Sequence, residues 1–148
     1  MTIVVDVANV MGSRPDGWWR DRAGAAVRLH AQVVRLAASG RAIPPEAARD
    51  PDQAGPPEAA KGSDDSERPG FVMVLEGAAN AAVARMAPSG AVRVVQARGS
   101  GDDAIVAVVR ELPGRRVVVT ADRELRARCV AAGAEILGPG WLLGLLRD

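Results

Sequence analysis

Tyrosine is absent from this 148-residue chain, and phenylalanine, histidine and cysteine occur once each. A single cysteine, Cys129, cannot form an internal disulfide, and with one histidine there is no Cys/His cluster at zinc spacing. The same scarcity argues against Ser-His-Asp and Cys-His nucleophilic chemistry. Lysine is almost missing too, since Lys61 is the only one among 19 basic residues and the rest are arginine. No apolar run approaches the ~20 residues that cross a bilayer. The opening Met1-Thr2-Ile3-Val4-Val5-Asp6 sets a carboxylate where a signal peptide requires unbroken apolar residues. The expectation is a cytoplasmic protein that does not engage a membrane. An excess of either charge is lacking as well: the formal net charge of +1 gives no global argument for a polyanionic partner. Any catalysis must rest on carboxylates and arginines, with a metal as the natural cofactor.

What is present suits one globular domain, with 48% apolar and 25% charged residues. Residues 41–70 stand apart, holding six of the ten prolines and Ile43 as their only large aliphatic side chain. Such a stretch buries too little apolar surface to offset the entropy of ordering it, and it reads as a flexible insertion within the domain. It carries four basic against seven acidic residues, which leaves the rest of the chain at +4.

The remainder alternates apolar runs with helical periodicity. Strands are expected at 3–5, 71–75, 92–95, 117–119 and 135–137. Helices are expected from about Pro15 to Gly40, over 78–86, 102–112 and 123–132, and from Pro139, a proline suited to a first helical turn, to 146. This alternation predicts an α/β three-layer sandwich, a mostly parallel five-stranded sheet flanked by helices. The apolar segment Trp141-Leu142-Leu143-Gly144-Leu145-Leu146 either packs on that sheet or contributes to a homodimer surface.

Open parallel sheets gather function at the carboxyl ends of their strands. Here those exits are acidic: Asp6 follows the first strand, Glu76 the second, Asp102 and Asp103 lie after the third, and Asp122 follows the fourth beyond Thr120-Ala121. Carboxylates gathered at one edge repel unless a cation sits between them, and oxygen-only ligands suit Mg²⁺ or Mn²⁺. Such an ion binds phosphate oxygens and acidifies water, and the implied reaction is phosphodiester hydrolysis. Each acid also has a purely structural reading. Asp102, Asp103 and Asp122 stand where helix starts favour carboxylates, Asp6 suits a turn, and Glu76-Gly77 is an ordinary strand-to-helix turn.

Three segments resemble the NYN domains of the PIN-like nuclease superfamily. Val4-Val5-Asp6-Val7-Ala8-Asn9-Val10 is similar to the family's opening D-x-x-N strand motif. Gly99-Ser100-Gly101-Asp102-Asp103-Ala104-Ile105 resembles its acidic helix start, and Val119-Thr120-Ala121-Asp122-Arg123-Glu124-Leu125 its T-x-D-x-x-L segment. They arrive in the family's order, and the resemblance spans nearly the whole chain outside 41–70. It implies a metal-dependent ribonuclease site, with Asp6, Asp102, Asp103 and Asp122 as catalytic metal ligands for Mg²⁺ or Mn²⁺. Asn9 would orient phosphate, and Thr120 would hydrogen-bond within the cluster. Two positions depart from the pattern: Val7 stands where many relatives have glycine, and the helical glutamate of many PIN nucleases has no counterpart.

Candidate RNA contacts flank these motifs. Arg14, Arg20, Arg98 and Arg123 can grip phosphate bidentately, and the indoles of Trp18 and Trp19 can stack on unpaired bases. Adjacent residues on a helix diverge by ~100°, so at least one indole is expected in the core. His30 and Cys129 read as packing residues, and Gly99-Ser100-Gly101 as a turn. The expectation is thus a ribonuclease, with a non-catalytic RNA-binding module as the alternative. A phosphatase of the haloacid-dehalogenase kind would need an aspartate where Ala8 stands, and a phospho-receiver would need a lysine at the fifth strand.

Overall fold

The computed structural model describes residues 1–39 and 69–147. Runs of valine and isoleucine form five strands: β1 (Thr2–Asp6), β2 (Gly70–Leu75), β3 (Val92–Gln96), β4 (Arg116–Val119) and β5 (Glu135–Leu137). β-Branched side chains favour the extended backbone, and strands buried on both faces need no polar alternation. All pairings are parallel, in the order β3-β2-β1-β4-β5. β1 is therefore central, which suits its complete burial from Ile3 to Val5.

Alternation along the strands splits the core in two. Ile3, Val5, Phe71, Met73, Leu75, Val117 and Val119 face one helical layer. It is built from α1 (Val7–Gly12), α2 (Arg22–Ala38), α5 (Pro139–Leu146) and the 3-10 segment Gly77–Arg85. Val4, Val72, Val74, Val118 and Ile136 face the other, built from α3 (Gly101–Glu111) and α4 (Arg123–Ala131). Each buried aliphatic side chain contributes about 1.5–3 kcal/mol, so the α1/α2/α5 layer, which buries the larger set, has the greater hold on the sheet. The three-layer sandwich is the architecture expected from the sequence.

Local chemistry accounts for where the elements differ from expectation. The long helix begins at Arg22 rather than near Pro15, because Gly17 adopts a left-handed conformation (φ 74°) and Trp18–Arg20 makes one 3-10 turn. Asp21 then caps α2 by accepting from the Gly24 amide at 2.8 Å. The alanine-rich segment after β2 is a 3-10 helix, not an α-helix. Its buried pair, Ala79 and Ala82, is three apart, and the Asn80 carbonyl accepts from Gln96 Nε2 at 3.0 Å. α1 was not anticipated: six residues follow Asp6 directly, burying Val7, Val10 and Met11.

α5 buries Leu142 and Leu143 in the core, with Trp141, Leu145 and Leu146 packed against it. The segment packs into the core beside α1 and α2. The expected insertion at 41–70 lies outside the described residues except at its end, where Pro69 is buried and Gly70 already opens β2. Among the described residues no helix is long and apolar enough to cross a membrane.

Candidate active site at the carboxyl edge of the sheet

The chain leaves β1 toward β2 on one side, and enters β4 on the other side after β3. The strand order therefore reverses between β1 and β4, opening a crevice at their carboxyl ends. Strand alternation decides which side chains meet there. Asp6, Glu76 and Thr120 share parity with Val4, Val74 and Val118, so all three lie toward the α3/α4 layer.

Asp6 is the centre of a hydrogen-bond network. Its Oδ2 accepts from Thr120 Oγ1 at 2.9 Å, and its Oδ1 accepts from the Asn9 amide at 3.3 Å, which makes Asp6 the cap of α1. Asn9 Oδ1 in turn accepts from the Ala121 amide at 2.8 Å, tying α1 to the chain beyond β4. The fully buried Thr120 hydroxyl also accepts from the Asp122 amide at 3.2 Å. Asp122 Oδ1 caps α4 through the Leu125 amide at 3.0 Å. Arg126 Nε donates to the Thr120 carbonyl at 3.1 Å and holds the loop from the far side.

The second group comes from β2 and α3. Glu76 Oε2 accepts from the Gly101 amide at 2.6 Å, fixing the first turn of α3 against the exit of β2. A Cβ at Gly101 would meet the Glu76 carboxylate, so a larger residue there would make that flexible side chain shift. Gly77, with φ +56°, lets the chain turn away immediately after Glu76. The Ser100 hydroxyl accepts from the Asp103 amide and caps α3, while Asp102 stands half-buried beside it. Gly99-Ser100-Gly101 is thus a cap as well as a turn.

Electrostatics records how these acids crowd one another. Asp6 is raised to about 6, chiefly by burial, against the lowering effect of its Thr120 and Asn9 hydrogen bonds; the charges of Asp102 and Glu76 add to the rise. Asp102 is raised by burial and then by Asp122 and Glu76, with Arg128 opposing. A site that resists gathering negative charge is one that a cation would relieve. The donor chemistry, all oxygen, fits a hard divalent ion. Among the described residues, however, no three His, Cys, Asp or Glu side chains stand close enough together to hold one. As they stand, Asp6 is engaged by Thr120, Asp122 by Leu125, Glu76 by Gly101, and Asp103 by Arg128 at 2.9 Å.

The expected site residues therefore separate into two sets. Asp6, Asn9, Asp102, Thr120 and Asp122 share the crevice through hydrogen bonds or mutual charge. Asp103 begins the same helix but is exposed and paired with Arg128. Arg98 and Arg123 are exposed on the loop before α3 and the first turn of α4. Arg20 lies 5.9 Å from the Trp19 ring, and Arg22 5.5 Å from that of Trp18. Trp18 packs partly on the core whereas Trp19 is 56% exposed, which meets the expectation of one inward indole.

Arg14 is placed differently from expectation. It does not flank the acidic edge but donates to Gln32 Oε1 at 2.7 Å on the α2/α5 side, because α1 carries the chain across to that layer first. His30 is buried in α2 and Cys129 in α4, the latter raised to about 11 by burial, as befits packing residues. Two contributors escaped sequence reasoning, Arg126 and Arg128. Only their placement on α4, whose exposed side lies toward α3 and the Thr120 loop, marks them out.

No protein-family model and no curated protein matches the sequence. Among solved structures, the chain is similar to the crystal structure of a point mutant of Rae1 (YacP) from Bacillus subtilis. The TM-score is 0.64 at 14% identity, over 99% of this chain and 76% of that one. The likeness is one of fold, an α/β sandwich with a five-stranded parallel sheet flanked by helices.

Proposed function

We propose that this chain is a metal-dependent endoribonuclease of the PIN-like class, acting on RNA in the cytoplasm. The observation that carries the reading is that Asp6, Asp102, Glu76 and Asp122 lie at one carboxyl edge of the sheet, near enough for neighbouring acids to add to the burial that raises Asp6 and Asp102. Among the described residues, no three acids stand close enough as they are to hold an ion. The three segments resembling NYN motifs and the PIN-like fold support it.

Asp6 and Asp102 would hold the ion, with Asp122 completing the set from the start of α4. A bound Mg²⁺ or Mn²⁺ supplies positive charge to phosphate oxygens and lowers the pKa of water at the site. Thr120 and the Asn9 amide hold the Asp6 carboxylate in one orientation, so it does not need to reorganise when substrate arrives. Asn9 commits Oδ1 to the Ala121 amide and keeps its Nδ2 donor for a phosphate oxygen. Exposed Arg98 and Arg123 are positioned to grip flanking phosphates. Hydrolysis adds water across one P–O bond: its oxygen joins phosphorus and its proton leaves with the departing oxygen.

The test is cleavage of a labelled RNA panel with Mn²⁺ by the native chain, Asp6→Asn and Asp122→Asn. Cleavage by the native chain with a loss of about 100-fold or more in each variant is expected; equal activity in all three removes the assignment. The pairing of Asp103 with Arg128 favours one second reading, a non-catalytic RNA-binding module. Calorimetry separates the two. Absence of Mn²⁺ binding, with RNA affinity indifferent to chelator and falling with salt, selects the binding module.

A further inference from the structure

The helical layer away from the acidic crevice carries the opposite charge. Arg14, Arg28 and Arg35 line an open groove with Gln32, and Asp16 is the one acid along it. Arg147 borders the adjoining hollow, next to Arg14 and Gln32. Arg28, Gln32 and Arg35 follow the four- and three-residue steps that bring side chains onto one face of α2, so the two arginines stand ~10 Å apart along its axis. Arg14 enters from the end of α1 and is half-buried, its guanidinium held at 2.7 Å by Gln32. Among the described residues no ion pair neutralises Arg28, Arg35 or Arg147.

We infer that this groove binds the phosphodiester backbone of the same RNA whose cleavage is proposed at the acidic crevice, as a second contact several nucleotides from the scissile bond. The inference rests on the ribonuclease reading. Like charges side by side disfavour one another, and burial together with Arg28 and Arg147 lowers the Arg14 guanidinium from its usual value, with Asp16 opposing. An anion relieves that repulsion. Arginine forks match phosphate bidentately, and an arginine already oriented by Gln32 loses less freedom on binding. Two features favour a polymer over a small phosphate: the groove is open, and its cations are spread along α2 rather than converging on one point. The path is continuous as well. α1 follows Asp6 directly and ends two residues before Arg14, with a rise of ~9 Å over its length. A strand leaving the crevice would pass over the carboxyl edge of the sheet, from the α3/α4 side to the α2/α5 side, to reach the groove.

The test compares the native chain with Arg28→Gln/Arg35→Gln, both exposed positions, using fluorescence anisotropy with 4-nucleotide and 20-nucleotide single-stranded RNA over a salt series in chelator. Cleavage of both RNAs is followed separately with Mn²⁺. The double variant is expected to bind the 20-mer about tenfold more weakly, with the salt slope reduced by ~1.4 for two lost single-strand phosphate contacts. Its binding and cleavage of the 4-mer should be unchanged. If the native chain binds and cleaves RNA but the double variant matches it on the 20-mer, the groove inference falls and the ribonuclease reading stands. If the native chain neither binds nor cleaves either RNA, both fall. Competition by inorganic pyrophosphate that abolishes 20-mer and 4-mer binding equally would also overturn the second contact, since it would place all phosphate recognition in one small site.

Discussion

Asp6 combines almost complete burial with a proton affinity about two units above the ordinary aspartate, and this makes stability and activity oppose each other. Unfolded, it titrates near 3.8; folded, near 6. Between those values the folded chain holds the extra proton, so its stability declines as pH rises and the full penalty applies above about pH 7. Asp6→Asn, which does not titrate, should therefore lose less stability than the native chain between pH 4 and pH 8, by roughly 1–3 kcal/mol. This comes on top of a pH-independent cost, because an amide has one acceptor oxygen for the two donors Thr120 and Asn9. Thermal melts of both proteins at the two pH values check this, and the same variant should have lost cleavage. Cys129 gives a contrasting expectation. Fully buried and raised to about 11, its thiol should ignore a disulfide reagent at pH 8 until the chain is denatured.

Capping decides several questions at the level of single elements. Asp122 both caps α4 and belongs to the acidic crevice, and two substitutions separate those roles. Asn keeps the cap, so Asp122→Asn should change stability by less than about 0.5 kcal/mol while losing activity. Asp122→Ala should lose activity and a further ~1 kcal/mol in chemical denaturation. For α3 the informative position is Gly101: Gly101→Ala shifts the Glu76 carboxylate and weakens its bond to the amide at that position. With the helix propensity of alanine in its favour, it should change stability by less than about 1 kcal/mol in chemical denaturation. The strands were readable from sequence because valine and isoleucine runs bounded by turns have few alternatives, as with Val117-Val118-Val119. The short helix after Asp6 was not, since six residues carry no periodicity to count and its cap doubles as the motif aspartate. That omission also misplaced Arg14, because a chain read as a loop stays at the acidic edge, whereas a helical turn and a half carries it to the other layer. Asp6, Asp102, Asp122 and Thr120 were legible because strand exits and parity depend only on local order. The attachments of Glu76 to Gly101 and of Asp103 to Arg128 join elements about 25 residues apart, and nothing in their spacing announces them.

For the molecule as a whole, cation and proton should compete for the same carboxylates. Mn²⁺ is expected to raise the melting temperature of the native chain and not that of Asp6→Asn, by the mass-action stabilisation of a ligand that binds only the folded state. Below about pH 6 the apparent Mn²⁺ affinity should fall up to tenfold per pH unit as Asp6 takes up its proton, measurable by titration calorimetry between pH 5 and 8. The sheet order sets a further condition. Asp6 lies on the first strand, and its partner Thr120 lies 114 residues later, immediately after β4. At 5–20 residues per second, a ribosome needs roughly 6 to 23 s to pass from one to the other. Throughout that interval the nascent chain carries the aspartate without the hydroxyl that orients it. The Asp6–Thr120 hydrogen bond cannot form before β4 has emerged, so this edge of the sheet is assembled only late in synthesis.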